Sequence, residues 1–299
     1  MSIKTPPEER AAEVALLQPL PDEGEPERRR FLFSGWHLVL LPLAFLMIAP
    51  MLWMLITSIE TFAETQHFPP ILRPAGIRWQ NYRQVLELTP FPRWFLNTVI
   101  VTVVTVVANL LFCSLAGYAF ARIRFFGRDV VFIIVLATMM IPFQVIMIPT
   151  FLIVRSLGLI DSLGALIVPN LAGAFGIFLL RQFFKTLPIE LEEAARIDGA
   201  SRLGVLFKIV LPLSGPVLAT LAVITFMWMW NEFLWPLITI YSTHNMTLQL
   251  GLTTFQGAHK TNTQLLMAAN VMSILPVLIL FFLAQRYFIR GIATTGLKG

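Results

Sequence analysis

The sequence predicts an all-helical integral membrane protein with six transmembrane helices, and three observations predict it. Hydrophobic residues make up 57% of the 299 residues, and charged residues only 13%. Six stretches contain no Asp, Glu, Lys or Arg: 31–59, 94–121, 130–154, 162–180, 209–231 and 261–285. Each is long enough to cross a bilayer, which takes roughly 20 mostly apolar residues in a helix that satisfies its own backbone polar groups. The third observation is that Lys and Arg fall unevenly on the connections between these runs.

Residues 1–30 precede the first run as a charged, Pro-rich tail that cannot bury a core and is expected to be disordered. The first run is longer than the apolar region of a secretory signal and is expected to remain in the mature protein. The second carries Thr98, Thr102, Thr105 and Asn109 at helical spacing on one face. Small polar stripes of this kind mediate helix packing. It also holds Cys113, the sole cysteine, so an internal disulfide is excluded. Pro142 and Pro149 lie seven apart on the third run and mark a candidate kink. The interval 233–259 is also free of Asp, Glu, Lys and Arg, but Ser242, Thr243, His244, Asn245, Gln249 and Gln256 fill it with polar groups. It is expected to be an extracytoplasmic loop with a short interfacial helix.

With the N-terminus inside, sixteen of the 22 Lys and Arg residues fall on the inner side and six (Arg73, Arg78, Arg83, Arg93, Arg155 and Lys260) on the outer side. Cytoplasmic flanks accumulate such residues, so both termini are expected in the cytoplasm. The net charge of +5 then reflects membrane orientation rather than nucleic-acid binding. No P-loop is present: Lys4-Thr5, Lys185-Thr186 and Lys260-Thr261 follow Ile3, Phe184 and His259 instead of Gly. His37, His67, His244 and His259 are too scattered for a compact metal-ligand set. No nucleophile or acid–base cluster stands out, which disfavours an enzyme.

The loop between the fourth and fifth runs, about 186–212, carries the most specific signal. It reads Glu193-Ala194-Ala195, three residues, Gly199, nine residues, Ile209, one residue, Leu211-Pro212. Pro188 suits a first helical turn, and Glu190, Glu192 and Glu193 follow where the helix dipole favours negative charge. Gly199 is placed to adopt the left-handed conformation that ends a helix. Ser201 is placed to cap a second helix, before Pro212 and Pro216 introduce the fifth span.

This spacing, on the inner side between two spans, resembles the signature loop of permease subunits of binding-protein-dependent ABC importers. Further segments resemble the carbohydrate-uptake branch, in particular the second permease of maltose-type systems. They are NTVIVTVV from Asn97, GYAFARIRFFGR from Gly117, MIPFQVIMIPTF from Met140, WNEFLWPL from Trp230 and QRYFIRGIATTGLKG at the end. The likeness covers about residues 33–299 and implies the type I ABC importer permease fold, with a six-helix domain over 31–299. It further implies a heteromeric assembly of this chain, a second permease, two ATPase subunits and an extracytoplasmic solute-binding protein in a bacterial inner membrane. ATP and Mg would be bound by the ATPase subunits, with no cofactor in this chain. The resemblance assigns ATPase coupling to Glu193, Ala194, Ala195, Asp198 and Gly199, on a helix docked in an ATPase cleft. It also brings Gly291 to Gly299 toward the ATPase interface, although Ala293-Thr294-Thr295-Gly296-Leu297 departs from the small-residue ending of the family.

Gln144, Asn170, Asn231, Glu232 and Asn270 form a candidate substrate pathway between mid-membrane and the outer surface, with Trp228, Trp230 and Trp235 close in sequence. Amides and carboxylates beside aromatic faces suit a sugar. The competing expectation is that the amides cross-link helices and the Trp residues belong to the interfacial belt. The favoured cargo is a sugar or sugar derivative; a polyol, a glycerol-phosphate ester or an amino acid is the alternative. A stand-alone secondary carrier is the rival from another class. It would be expected to hold ionisable groups deep in the bilayer, where Glu232 is the single candidate.

Overall fold

The computed structural model describes residues 36–69, 73–257 and 261–295, with side chains omitted at 284 and from 286 onward. The expectations for the tail 1–30 and for the last residues, 296–299, fall outside these limits. The chain divides at Pro50 into two compact units. The break lies inside the first long helix, α1 (His37–Ser58), whose apolar residues from Leu38 to Met47 are exposed. Among the described residues four helices are long and apolar enough to cross a membrane, or six if each of two bent pairs forms one span.

The remaining elements belong to the second unit. Two short helices, α2 (Phe62–Thr65) and α3 (Gln80–Leu88), link α1 to the second run. The Asn81 side chain binds the connection by donating to the Ser58 and Glu60 carbonyls, at 2.9 and 2.8 Å. Next comes α4 (Phe91–Arg122), 32 residues with Pro92 in its first turn, where the missing N–H costs nothing. At 1.5 Å per residue it is about 48 Å long, enough to cross the bilayer and extend beyond it.

The third run is broken. Here α5 (Arg128–Thr138) and α6 (Phe143–Ser156) meet at 103°. Pro142 sets this bend: it has no N–H to donate, sits at ψ 139° and pushes the residue before it out of the helical region. Pro149 lies inside α6 without interrupting it, so the expected kink forms at one of the two prolines only. In the fourth run, α7 (Leu163–Ile167) and a 3₁₀ turn at Val168–Asn170 lead into α8 (Ala174–Thr186). After the coupling segment α9 (Glu190–Ile197) come α10 (Arg202–Val205), a π turn at Leu206–Val210, and α11 (Leu211–Leu213). Pro212 follows four residues after Lys208, and its ring crowds that carbonyl, which accounts for the wider turn. The chain then bends by 83° into α12 (Gly215–Asn231).

Helix α8 lies close against α4. A Cβ added at Gly117 would sit 3.1 Å from the Arg181 backbone N, and one at Gly176 would sit 2.8 Å from Cys113 Sγ. Small residues let membrane helices approach this closely and supply the dispersion contacts that replace a hydrophobic driving force. Leu180, Phe184, Val205, Leu206 and Leu221 complete that core. Arg181 ties α5 to α8, with its guanidinium 3.8 Å from the Phe132 ring centroid and 3.5 Å from the Asp129 carboxylate.

Among the described residues of the interval 233–259, no helix is long and apolar enough to cross a membrane. The interval holds α13 (Leu234–Thr239) and α14 (Leu248–Leu252), and the last helix, α15 (Thr263–Thr295), follows it. A short helix is present in this interval as expected, and it packs against the rest of the unit: Leu248, Leu250, Leu252 and Phe255 are buried. Polar groups at the start of α4 receive it. Trp94 Nε1 donates to the Thr243 carbonyl at 2.8 Å, Asn97 Nδ2 to those of His244 and Met246 at 2.9 Å each, and Thr98 Oγ1 accepts the Leu248 N–H at 2.8 Å. The Thr98, Thr102, Thr105 and Asn109 stripe is buried throughout. Thr98 thus serves packing through a hydrogen bond, whereas the Thr102 and Thr105 hydroxyls have no partner among the described residues.

Asp161 fixes the same loop from the other side. This residue adopts φ 58°, and its carboxylate accepts the Ser242 and Tyr241 N–H groups at 3.0 Å each and the Ser242 hydroxyl at 2.9 Å. These donors, Ser242 N–H first, hold its carboxyl below the ordinary carboxylate range.

Candidate coupling loop and outer cavity

Helix α9 has two faces. Glu192 is buried and Ala195 half-buried, packed on the core around Leu180 and Phe184, while Leu191, Glu193, Ala194, Arg196, Ile197, Asp198 and Gly199 are exposed. Glu193 and Ile197, four apart, share the exposed face, as do Ala194 and Asp198. Of the predicted coupling residues, Glu193, Ala194, Asp198 and Gly199 therefore lie together at the surface and Ala195 turns inward. The small side chain of Ala195 lets α9 lie close to that core.

The helix stops as the sequence grammar predicts. Gly199 has φ +86°, its N–H donates to the Arg196 carbonyl at 3.1 Å, and the Ala200 N–H donates to Ala195 at 2.9 Å. This is a complete Schellman motif, which satisfies carbonyls that the helix end would otherwise leave free. Ser201 then caps α10, its Oγ accepting the Gly204 N–H at 3.1 Å. At the other end α9 begins at Glu190, so Pro188 precedes the helix instead of occupying its first turn.

The sequence gives Glu192 only a place in the acidic first turn of α9, whereas the structure gives it a buried ion pair. Its carboxylate accepts Arg122 Nε at 2.6 Å on one oxygen and the Tyr118 hydroxyl at 3.1 Å on the other. Arg122 also donates to the Leu187 carbonyl at 2.7 Å. Tyr118 and Arg122 sit four apart in the GYAFAR segment and so on one face of α4, which is the signal that was legible beforehand.

Asn170 and Glu232 line a cavity of about 220 Å³ with Phe143, Ile146, Thr150, Pro169 and Trp235. Trp235 is held by donating from Nε1 to the Ala165 carbonyl at 2.9 Å and stands edge-on to Phe143. Glu232 accepts the Trp235 N–H at 3.0 Å, and the Asn170 side chain donates to Leu166 at 2.9 Å. Gln144 is exposed on α6, next to the cavity residue Phe143. Asn231 is exposed on α12 and donates back to the Met227 carbonyl at 2.8 Å. Asn270 is half-buried on α15 and lines none of this space. The three tryptophans separate: Trp228 is exposed, Trp235 walls the cavity, and Trp230 is buried, stacked on Phe226.

A helical bundle of long apolar runs, two of them bent, with a helix–turn–helix between spans whose acidic face stands free, defines a multi-pass membrane permease subunit. The chain belongs to the family described as the binding-protein-dependent transport system inner membrane component, whose profile matches residues 110–294. The arabinooligosaccharides transport system permease protein AraQ of Halalkalibacterium halodurans is 38% identical over 260 residues, covering 86% of this chain and 93% of that protein. The sn-glycerol-3-phosphate transport system permease protein UgpE of Pectobacterium atrosepticum is 35% identical over 274 residues, covering 89% and 98%. A solved bacterial ABC transporter involved in the import of the acidic polysaccharide alginate contains a chain that superposes with a TM-score of 0.77 at 27% identity, covering 96% of this chain and all of that one. The protein is thus an ABC importer permease of the inner membrane.

Proposed function

We propose that this permease imports a sugar or sugar derivative delivered by an extracytoplasmic solute-binding protein. It works beside a second permease subunit and two ATPase subunits that bind ATP and Mg, and both its termini are cytoplasmic. The observation that carries the ATPase assignment is the exposed face of α9, where Glu193 and Asp198 flank Ala194 and the 86%-exposed Ile197 on a helix fixed at its start and end. Such a face offers carboxylates to basic groups on a partner and an apolar residue to a cleft. The second permease is supported by Gln144 and Asn231, exposed amides on apolar runs, because polar groups at membrane depth face a protein neighbour or a water-filled path rather than lipid.

Sugar as cargo rests on the name of the arabinooligosaccharide relative and on the outer cavity, where the Asn170 amide and the Glu232 carboxylate lie beside the Trp235 ring. The name of the glycerol-phosphate relative supports a second reading, another polar solute carried by the same machinery.

Reconstitution tests this. In liposomes holding the complete complex, uptake of a labelled sugar is expected to require both internal ATP and the external binding protein. Uptake by this chain alone down an ion gradient would overturn the assignment.

A further inference from the structure

Glu193 has no described partner within the chain, but its neighbour Glu192 is locked. The side chains of Arg122 and Glu192 are 13% and 8% exposed, and Tyr118 is buried beside them. Both carboxylate oxygens of Glu192 are used, one by Arg122 and one by Tyr118. Arg122 reaches the Leu187 carbonyl as well, so a single guanidinium grips the start of the α8–α9 connection, where α8 ends, and the first turn of α9 together. A charge-assisted bond of 2.6 Å with this little water access is short and strong, and parting it would leave a charge buried without a partner. Movement of α9 away from the inner end of α4 is therefore resisted more than movement of the two together.

The other end of α4 makes the complementary connection. Trp94, Asn97 and Thr98, in its first two turns, bind the main chain of Thr243, His244, Met246 and Leu248. Between these two attachments α4 runs as one helix with no interior proline or break. We propose that α4 is the strut that carries displacement of α9 to the outer loop at 243–248, with Arg122 and Tyr118 as positioning residues that fix Glu192 to it. This rests on the coupling role of α9 proposed above and adds the route by which its movement reaches the solute side.

The test uses the assembled complex and reads two things. Cross-linking from Ile197→Cys to the ATPase reports whether α9 is docked, and amide hydrogen exchange at 243–248 reports the outer response to ATP. In the otherwise native complex α9 is expected to be docked and the loop to change its exchange when ATP binds. Arg122→Gln is expected to leave α9 docked and to reduce that change about tenfold, from the loss of a charge-assisted bond. Arg122→Lys, which keeps the charge without the fork, is expected to recover to within about threefold of native. Tyr118→Phe is expected to cost about twofold.

A docked Arg122→Gln complex whose loop still responds fully would overturn the strut, as would Arg122→Lys responding no better than Arg122→Gln. Should Arg122→Gln fail to insert, Arg122→Lys and Tyr118→Phe decide by the same measure, an undiminished response in both contradicting the proposal. A simple stability role would lower insertion without changing the response per assembled complex. Absence of docking in the native complex would instead contradict the coupling role of α9 itself.

Discussion

Glu193→Lys is expected to abolish binding-protein-stimulated ATP hydrolysis in the reconstituted complex while leaving the chain inserted and folded. The two outcomes separate because Glu193 is exposed, so reversing its charge costs the permease itself within about 0.5 kcal/mol. Placing a cation against a basic partner surface costs several kcal/mol, with an expected loss of stimulation on the order of a hundredfold. Gly199→Asp should act through a different route. An added Cβ there meets nothing within 4 Å, so the cost lies in the backbone, held at φ +86°. A side chain in the left-handed region costs about 1–2 kcal/mol, least for Asn and Asp. Gly199→Val is therefore expected to impair coupling more than Gly199→Asn. Normal stimulation in Glu193→Lys would count against the coupling assignment.

Gly251→Ala is expected to be the most destabilising single-methyl change in the second unit. The new Cβ would lie 2.3 Å from Trp94 Cε3 and 2.4 Å from Trp94 Cδ2, well inside van der Waals contact. The indole has no room to yield, being fully buried and held through Nε1 to the Thr243 carbonyl at 2.8 Å. Overpacking of this severity costs about 3 kcal/mol. Unfolding of the detergent-solubilised protein should shift accordingly, and the double change Gly251→Ala with Trp94→Leu should recover part of the loss, since the smaller side chain removes the clash. Equal stability of Gly251→Ala and the native chain would contradict the packing described for α14 on α4.

Much of this architecture was legible in the sequence because bilayer solvation leaves little choice. Runs without charge must be helical, and the polar interval 233–259 fails the same requirement. The stop at Gly199 and the cap at Ser201 were legible because local backbone sterics decide them. Pro142 and Pro149 were not separable in advance: both lack a donor, but only Pro142 stands where the chain turns, and tertiary packing selects it. The burial of Glu192 beside an exposed Glu193 was hidden for a similar reason. Adjacent helical positions point about 100° apart, and only the placement of α9 against α4 decides which one meets Arg122. Asn170 and Glu232 share a cavity across some sixty residues of chain, whereas Asn270, equally polar and equally apolar in its surroundings by sequence, sits on α15 away from it.

Labelling of a single introduced cysteine tests the central claim most directly. Cys113 is fully buried, and Ile197 is 86% exposed, so Ile197→Cys supplies one reactive thiol on the free face of α9. A membrane-impermeant maleimide is expected to label it in inside-out vesicles, to leave it unlabelled in right-side-out vesicles, and to lose access once the ATPase subunits are bound. Labelling from the outer face, or labelling that persists with the ATPase subunits bound, would contradict the account.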